Sequence, residues 1–363
     1  MRNLTRTVAG AAVAATLAVS AVAPALAQEE EADWPMSGPL ADGSTFELSE
    51  SIAAKLEAGE PVNYVFSYGS DSIPLFSPQY RTGYETSMPE AQAIMPNLVG
   101  TSIAPASPLQ DVNQQIAQIQ ALWQAGLIDC LSIQSTGDNA FTKITNDIMA
   151  EGIPVFTVGV QSNGNELTNF TQISLKEGRQ AAQIVLDWME ATGNDLNVFA
   201  VSGGDPPQNW AQGRMTGFIE GITEAKPDAV FLNGPDNALA TTYDPAATYD
   251  AYRAFIQGNP EVQFIENVDI GAEHANRAIV DADKEGEIFT IGWNVSLGQL
   301  DGVEQGVQVA ALDQKWGEQA AFGATACADF LTNGVIRPNT QELLPVTLEN
   351  LAEAREEFLS LIE

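Results

Sequence analysis

The sequence predicts an α/β fold made of two doubly wound parallel-sheet lobes. Three observations predict it. Short apolar or β-branched runs recur along the chain, stretches of helical length separate them, and the same alternation starts again near the middle. Two such sets would each lay the carboxyl ends of their strands along a crevice.

In chain order, residues 1–27 come first. Arg2 and Arg6 precede the small apolar run "VAGAAVAATLAVSAVAPALA", which ends in Ala25-Leu26-Ala27, the A-x-A pattern of a secretory signal peptide cleaved before Gln28. An uncleaved anchor fits less well, because the run is rich in Ala and Gly and contains Pro24. No Cys follows it to carry a lipid, and no later stretch reaches the ~18 apolar residues of a spanning helix. Export without stable membrane insertion is the expectation. Residues 28–60 read as a polar leader.

The first lobe is expected over residues 61–160 plus 314–340. Its strands are "VNYVFS" (62–67), "NLVGTSI" (97–103), "LIDCLSI" (127–133) and "IPVFTVGV" (153–160). One intervening helix is carried by Val112, Ile116, Ile119, Leu122 and Trp123 at helical spacing. The second lobe is expected over residues 161–313. Its strands are "NFTQIS", "LNVFAVSGG" (196–204), "AVFLNG" (229–234), "VQFIENVD" (262–269), "EIFTIGW" (287–293) and "VQVAALD" (307–313), with a helix after each. Residues 341–363 form a C-terminal segment.

Composition excludes one class of partner. The 363-residue chain has 15 basic and 48 acidic side chains, a formal net charge of −33. Nucleic acid is therefore not an expected partner, since its binding depends on cationic surface releasing counterions. The acidity reads as a solvated, self-repelling surface. Cys130 and Cys327 are too few for a disulfide scaffold and too far apart for a zinc motif. Export would permit a bridge, but both lie in apolar surroundings that favour two buried thiols. The single His274 makes a His-based triad or metal cluster a poor expectation. No cofactor or metal is expected.

Polar and aromatic groups recur at the strand-to-helix junctions: "YGSDSIPLF" (68–76), "DPPQNWAQGR" (205–214), "NVD" (267–269), "WNVS" (293–296) and "DQKW" (313–316). Asp, Asn and Ser there are ordinary helix caps. Trp210 and Trp316 fit that reading less well, because an indole needs a packing surface and a partner for its N–H. Phosphate-loop, H-E-x-x-H and G-x-S-x-G motifs are missing. Planar amides and carboxylates with aromatic faces suit a neutral polyhydroxy ligand. A secreted sugar hydrolase is the enzymatic rival, because folding could bring Asp71, Asp269 or Asp313 together.

Taken together, "EGIPVFTVGV", "GRQAAQIVLDWM", "AQGRMTGFIEGI" with its Arg-x-x-Gly-Phe pattern, "NPEVQFIENVDIGAEHANRAI", "IGWNVS" and "ALDQKWGEQAAFG" resemble the type I periplasmic binding proteins, the ribose-binding-like solute receptors of ABC importers. The likeness spans roughly residues 60–347. It implies two α/β lobes joined by a hinge, a non-enzymatic monomer in the periplasm, and a small polar ligand, a monosaccharide by preference, delivered to an ABC permease. A receptor reporting to a membrane signalling partner is the rival within the same fold.

Carried over by position, the resemblance makes Tyr68, Asp71 and Phe76 candidates on the first-strand loop. Asn209, Trp210 and Gln212 fall at the start of the second lobe's contact helix. Arg214 matches a family arginine and reads equally as a structural ion-pair residue. Asp269 and Asn294 are strand-end acceptors, Gln314 is the hinge amide, and Trp316 follows it. Two departures weaken recognition of ribose or galactose by the family's usual set. Gly159-Val160 stands where an Asp-Arg pair is common, and Asn294 where Gly-Phe-Asp has its Asp.

Overall fold

The computed structural model describes residues 37–39 and 45–362. The expected signal peptide and much of the expected leader lie outside the described residues. Within residues 45–60, however, the chain is part of a packed lobe. β1 (Ser37–Pro39) pairs antiparallel with β2 (Thr45–Glu47), and α1 (Glu50–Ala58) follows. Ser49 caps α1 by accepting from the Ile52 N–H at 3.3 Å, and Gly59 ends it in the left-handed region at φ 65°. Phe46, Leu48 and Ile52 are buried with the first lobe's core, and Lys55 pairs with Asp129 at 2.7 Å.

The first lobe continues with β3 (Val62–Ser67), α2 (Ser77–Ile94), β4 (Leu98–Ile103), α3 (Val112–Gln124), β5 (Cys130–Ser135), α4 (Thr142–Ala150), β6 (Val155–Gly159) and β7 (Thr168–Phe170). Its strands are parallel, in the order β4-β3-β5-β6-β7. The chain runs from β3 to β4 on one side and then returns to β5 on the other, so the topological switch point lies between β3 and β5. β7 corrects an expectation. The sequence read "NFTQIS" as opening the second set, yet Thr168–Phe170 pairs with Phe156–Val158 on the edge of the first sheet.

The second lobe comprises α5 (Ser174–Thr192), β8 (Val198–Gly203), α6 (Asn209–Ala225), β9 (Val230–Phe231), β10 (Leu239–Ala240), α7 (Pro245–Gly258), β11 (Phe264–Asn267), α8 (Ala272–Asp281), β12 (Phe289–Trp293), α9 (Leu297–Glu304) and β13 (Gln308–Asp313). Strand order repeats the first lobe's scheme, β10-β8-β11-β12-β13, with the switch point between β8 and β11. β9 and β10 pair with successive parts of one edge of β8. Between them the Asn233 side chain stands in for a strand residue, accepting from the Val201 N–H at 2.8 Å and donating to its carbonyl at 2.9 Å.

Close helix packing fixes α5 against α6. Gly213, Gly217 and Gly221 recur every four residues on one face of α6, and Gly178 faces them from α5. A Cβ at Gly178 would run into the Arg214 carbonyl, and one at Gly217 into the Leu175 carbonyl.

After β13 the chain returns. α10 (Trp316–Asn333) packs on the first lobe, where Phe322 stacks on Phe170 at 4.0 Å and Phe330 meets Phe46 at 5.7 Å. β14 (Leu344–Val346) then pairs antiparallel with β13, and α11 (Leu351–Ile362) contacts both α2 and α9. The cysteines correct a second expectation: Cys130 on β5 and Cys327 on α10 are disulfide-bonded, with Cα atoms 6.2 Å apart. Apolar burial did favour two thiols by composition, but the same burial brings α10 directly across β5, which sequence spacing does not reveal.

Candidate functional site

In doubly wound sheets, ligands bind outside the carboxyl ends of the strands at the switch point. In the first lobe these ends lead into the loop after β3 and the loop after β5. Gln134 joins them, its Oε1 accepting from the Gly69 N–H at 2.8 Å. In the second lobe the corresponding loops follow β8 and β11 and carry Gly204, Asp205 and Asp269. The two lobes touch here: Asn209 Nδ2, at the start of α6, donates to Asp138 Oδ2 after β5 at 2.6 Å.

Asp269 is buried at 7 % exposure. Its Oδ1 accepts from the Ile270 N–H at 2.8 Å, whereas Oδ2 is enclosed and has no well-formed hydrogen bond. The Tyr243 hydroxyl and the Gly204 N–H both act on the Asp269 carboxyl. Burial raises the Asp269 pKa, opposed by those donors and by the charge of Arg214. Tyr243 reaches the same place from the loop after β10. An ideal Cβ at Gly204 would lie 2.6 Å from Tyr243 Cε1 and 3.0 Å from Asp269 Oδ2, so this close approach requires glycine. Partial burial raises the Tyr243 pKa, with Asp269 and Asp205 adding to the effect.

The other expected site residues divide by what holds them. Tyr68 is buried, with its ring 5.5 Å from Phe66 and 6.0 Å from Tyr80. Asp71 is exposed, and its side chain accepts from the Ser72 hydroxyl. Phe76 and Trp316 meet edge to face at 5.2 Å and both pack on Tyr80, so Trp316 closes an aromatic cluster of the first lobe. Gln212 Nε2 donates to the carbonyls of Pro206 and Pro235, at 2.8 and 2.9 Å, fastening the loop before α6.

Arg214 sits at the centre of a buried network. Its Nε donates to Glu177 at 2.9 Å, Nη1 to the Val268 carbonyl at 2.9 Å, and Nη2 to Gln314 Oε1 at 2.6 Å. The guanidinium carbon lies over the rings of Trp210 and Trp293, 5.1 and 5.2 Å from their centroids. Both ends of the Gln314 amide are therefore engaged within the protein, because Nε2 donates to Asn294 Oδ1. Asn294 holds φ 71°, the left-handed region that asparagine tolerates better than most residues.

Gln314 also marks where three connections between the lobes meet. Its backbone carbonyl accepts from Gln172 after β7 at 3.1 Å, from Gln319 on α10 at 2.8 Å and from Gln341 before β14 at 3.1 Å. Next to it Lys315 takes φ 54°, and its Nζ pairs with Glu357 on α11 at 2.9 Å. Asp313 Oδ1 accepts from the Lys315 N–H at 2.8 Å, and burial raises its pKa against that donor.

The structure thus brings Asp269 and Asn209 to the switch points and ties Gln314, Asn294 and Arg214 into one buried network beside the crossovers. Phe76 and Trp316 pack together on the first lobe. Tyr243, Asp205, Asp138 and Glu177 escaped the sequence reading. Tyr243 had the signal used for Trp210, an aromatic residue at a strand end, but β10 is too short to announce that end. Glu177 could not be matched to Arg214 because the pair joins two helices 37 residues apart.

These features define a two-lobed α/β protein of the doubly wound kind, its crossovers gathered at one edge. Residues 66–334 match the family described as periplasmic binding protein domain, and the chain belongs to that family. No curated protein sequence matches it. Solved structures of similar fold include GanP, a glucose-galactose binding protein from Geobacillus stearothermophilus, at 14 % identity and TM-score 0.65, covering 80 % of this chain and 99 % of that one. A sugar-binding protein of a sugar ABC transporter from Bacillus halodurans has 18 % identity and TM-score 0.65, covering 80 % and 99 %. The Caulobacter myo-inositol binding protein bound to myo-inositol has 16 % identity and TM-score 0.64, covering 80 % and 95 %. At these identities the likeness is one of fold.

Proposed function

We propose that this chain is an exported, non-enzymatic receptor that captures a small polyhydroxy solute, a sugar or sugar-like polyol, between its lobes and delivers it to an ABC permease. The observation that carries the reading is the meeting of two switch points, with the buried acceptor Asp269 on one side and the Asn209 to Asp138 hydrogen bond crossing between them. Sugar- and inositol-binding proteins among the fold relatives support the ligand class. Export rests on the signal pattern of residues 1–27, and the disulfide suits an oxidising compartment.

In this reading the first lobe takes residues 61–160 and 314–340, extended by α1 and β7, and the second the remainder up to residue 313. Asp269, Asn209, Asp71 and Trp210 would face the solute, while Arg214, Asn294 and Gln314 set the crevice floor and hinge. Ligand binding would close the lobes by hinge motion.

A thermal-shift screen of monosaccharides, polyols, nucleosides and amino acids tests it. A ligand at 100 times its Kd stabilises by about 2.7 kcal/mol, a readily measured shift. Stabilisation by a sugar or polyol is expected; a response confined to amino acids or nucleosides would overturn the ligand class.

A further inference from the structure

Resting on the proposed binding site, we infer that its ligand carries a positively charged amine, as an amino sugar or amino polyol does, and that Asp269 with Tyr243 receives that group. Asp269 Oδ2 is enclosed and makes no well-formed hydrogen bond. A buried carboxylate oxygen without a good partner is costly to leave so, and an ammonium supplies both charge and donors.

The surroundings favour a cation over a neutral hydroxyl. Tyr243 lies beside Asp269 over Gly204 with its hydroxyl directed at that carboxyl, so an ammonium there would meet a hydroxyl oxygen as well as the carboxylate. Asp205 lies close enough to act on the same tyrosine, and Asp138 stands opposite through Asn209. Two cations nearby are already matched. Arg214, which acts on Asp269, is ion-paired with Glu177 at 2.9 Å, and Lys315 turns away to Glu357. Arg81 reaches the exposed Asp71 backbone carbonyl at 3.2 Å rather than the buried carboxylate. Gly159-Val160 brings no arginine to the first lobe's side. The site therefore holds more carboxylate than unpaired cation.

Paired probes test this: glucose against glucosamine and galactose against galactosamine, by calorimetry at neutral pH and two salt concentrations. The salt series separates specific binding from attraction to a chain of net charge −33. At least one amine should bind about tenfold or more tighter than its hydroxyl counterpart, the scale of one charge-assisted hydrogen bond. Asp269→Asn, which keeps the side chain's shape, should abolish that preference, with circular dichroism checking the fold. Equal or tighter binding of the neutral sugar would overturn the amine inference and leave the proposed receptor function standing. A preference that survives in Asp269→Asn would overturn the assignment to this carboxylate. Silence from all four sugars, with a response to amino acids or nucleosides, would overturn both readings.

Discussion

Glu266 lies at the middle of β11 with both carboxylate oxygens enclosed and unpartnered. Its alternate neighbours Phe264 and Val268 belong to the apolar cluster of Phe218 and Met215, so its side chain enters that cluster. Burial raises its pKa well above the usual carboxyl value, and Arg214 opposes the shift only in part. A native pKa above the unfolded one makes the folded state hold its proton longer. Glu266 therefore favours folding fully only below the unfolded value of about 4.3, and the contribution is lost as pH rises through the native pKa. Glu266→Gln should raise the melting temperature, by more at pH 8 than at pH 5; a pH-independent difference would refute the sign. At this scale the sequence is least informative. Arg214 was legible as a conspicuous residue of α6, but its partner was not, and Gln314 was legible as a junction amide without any sign that both its ends are taken. Such facts depend on contacts between distant segments.

The pairing of α5 and α6 shows what an element-level pattern conveys. Glycine at every fourth position of α6 lowers intrinsic helix preference, yet it lets α5 come close enough to bring Glu177 to Arg214. Gly178→Ala should destabilise the protein by about 1–3 kcal/mol, because the added methyl has backbone opposite it and the helices must separate. Denaturant unfolding would read this, and an unchanged midpoint would show that the helix pair can shift freely. Most elements were legible because they are long or strongly apolar. β3 matches its expected span, and β4, β8, β12 and β13 start and stop within two residues of expectation. β7 was misassigned, β10 was unseen and β9 fills only two residues of its expected 229–234, because two- and three-residue strands carry too little periodicity. Their place is set by the sheet edge they find.

For the whole molecule, the repeated strand order of the two sheets follows from the repeated alternation in the sequence, so the fold class was legible before any contact was known. The cross-link was not. Cys130 and Cys327 are separated by 197 positions, and a bond closing so long a loop stabilises by about 2–5 kcal/mol. Adding reductant should move the denaturation midpoint to lower denaturant, and a Cys130→Ala/Cys327→Ala variant should match the reduced protein and ignore reductant. An identical midpoint with and without reductant would exclude this role.

Both cysteines belong to the first lobe, and strands β8 to β13 all lie between them in the chain. The second lobe is thus a segment of a covalent ring whose two ends are held by one neighbour. A protease that cuts once anywhere inside the ring opens it without releasing a fragment, and the two pieces part only on reduction.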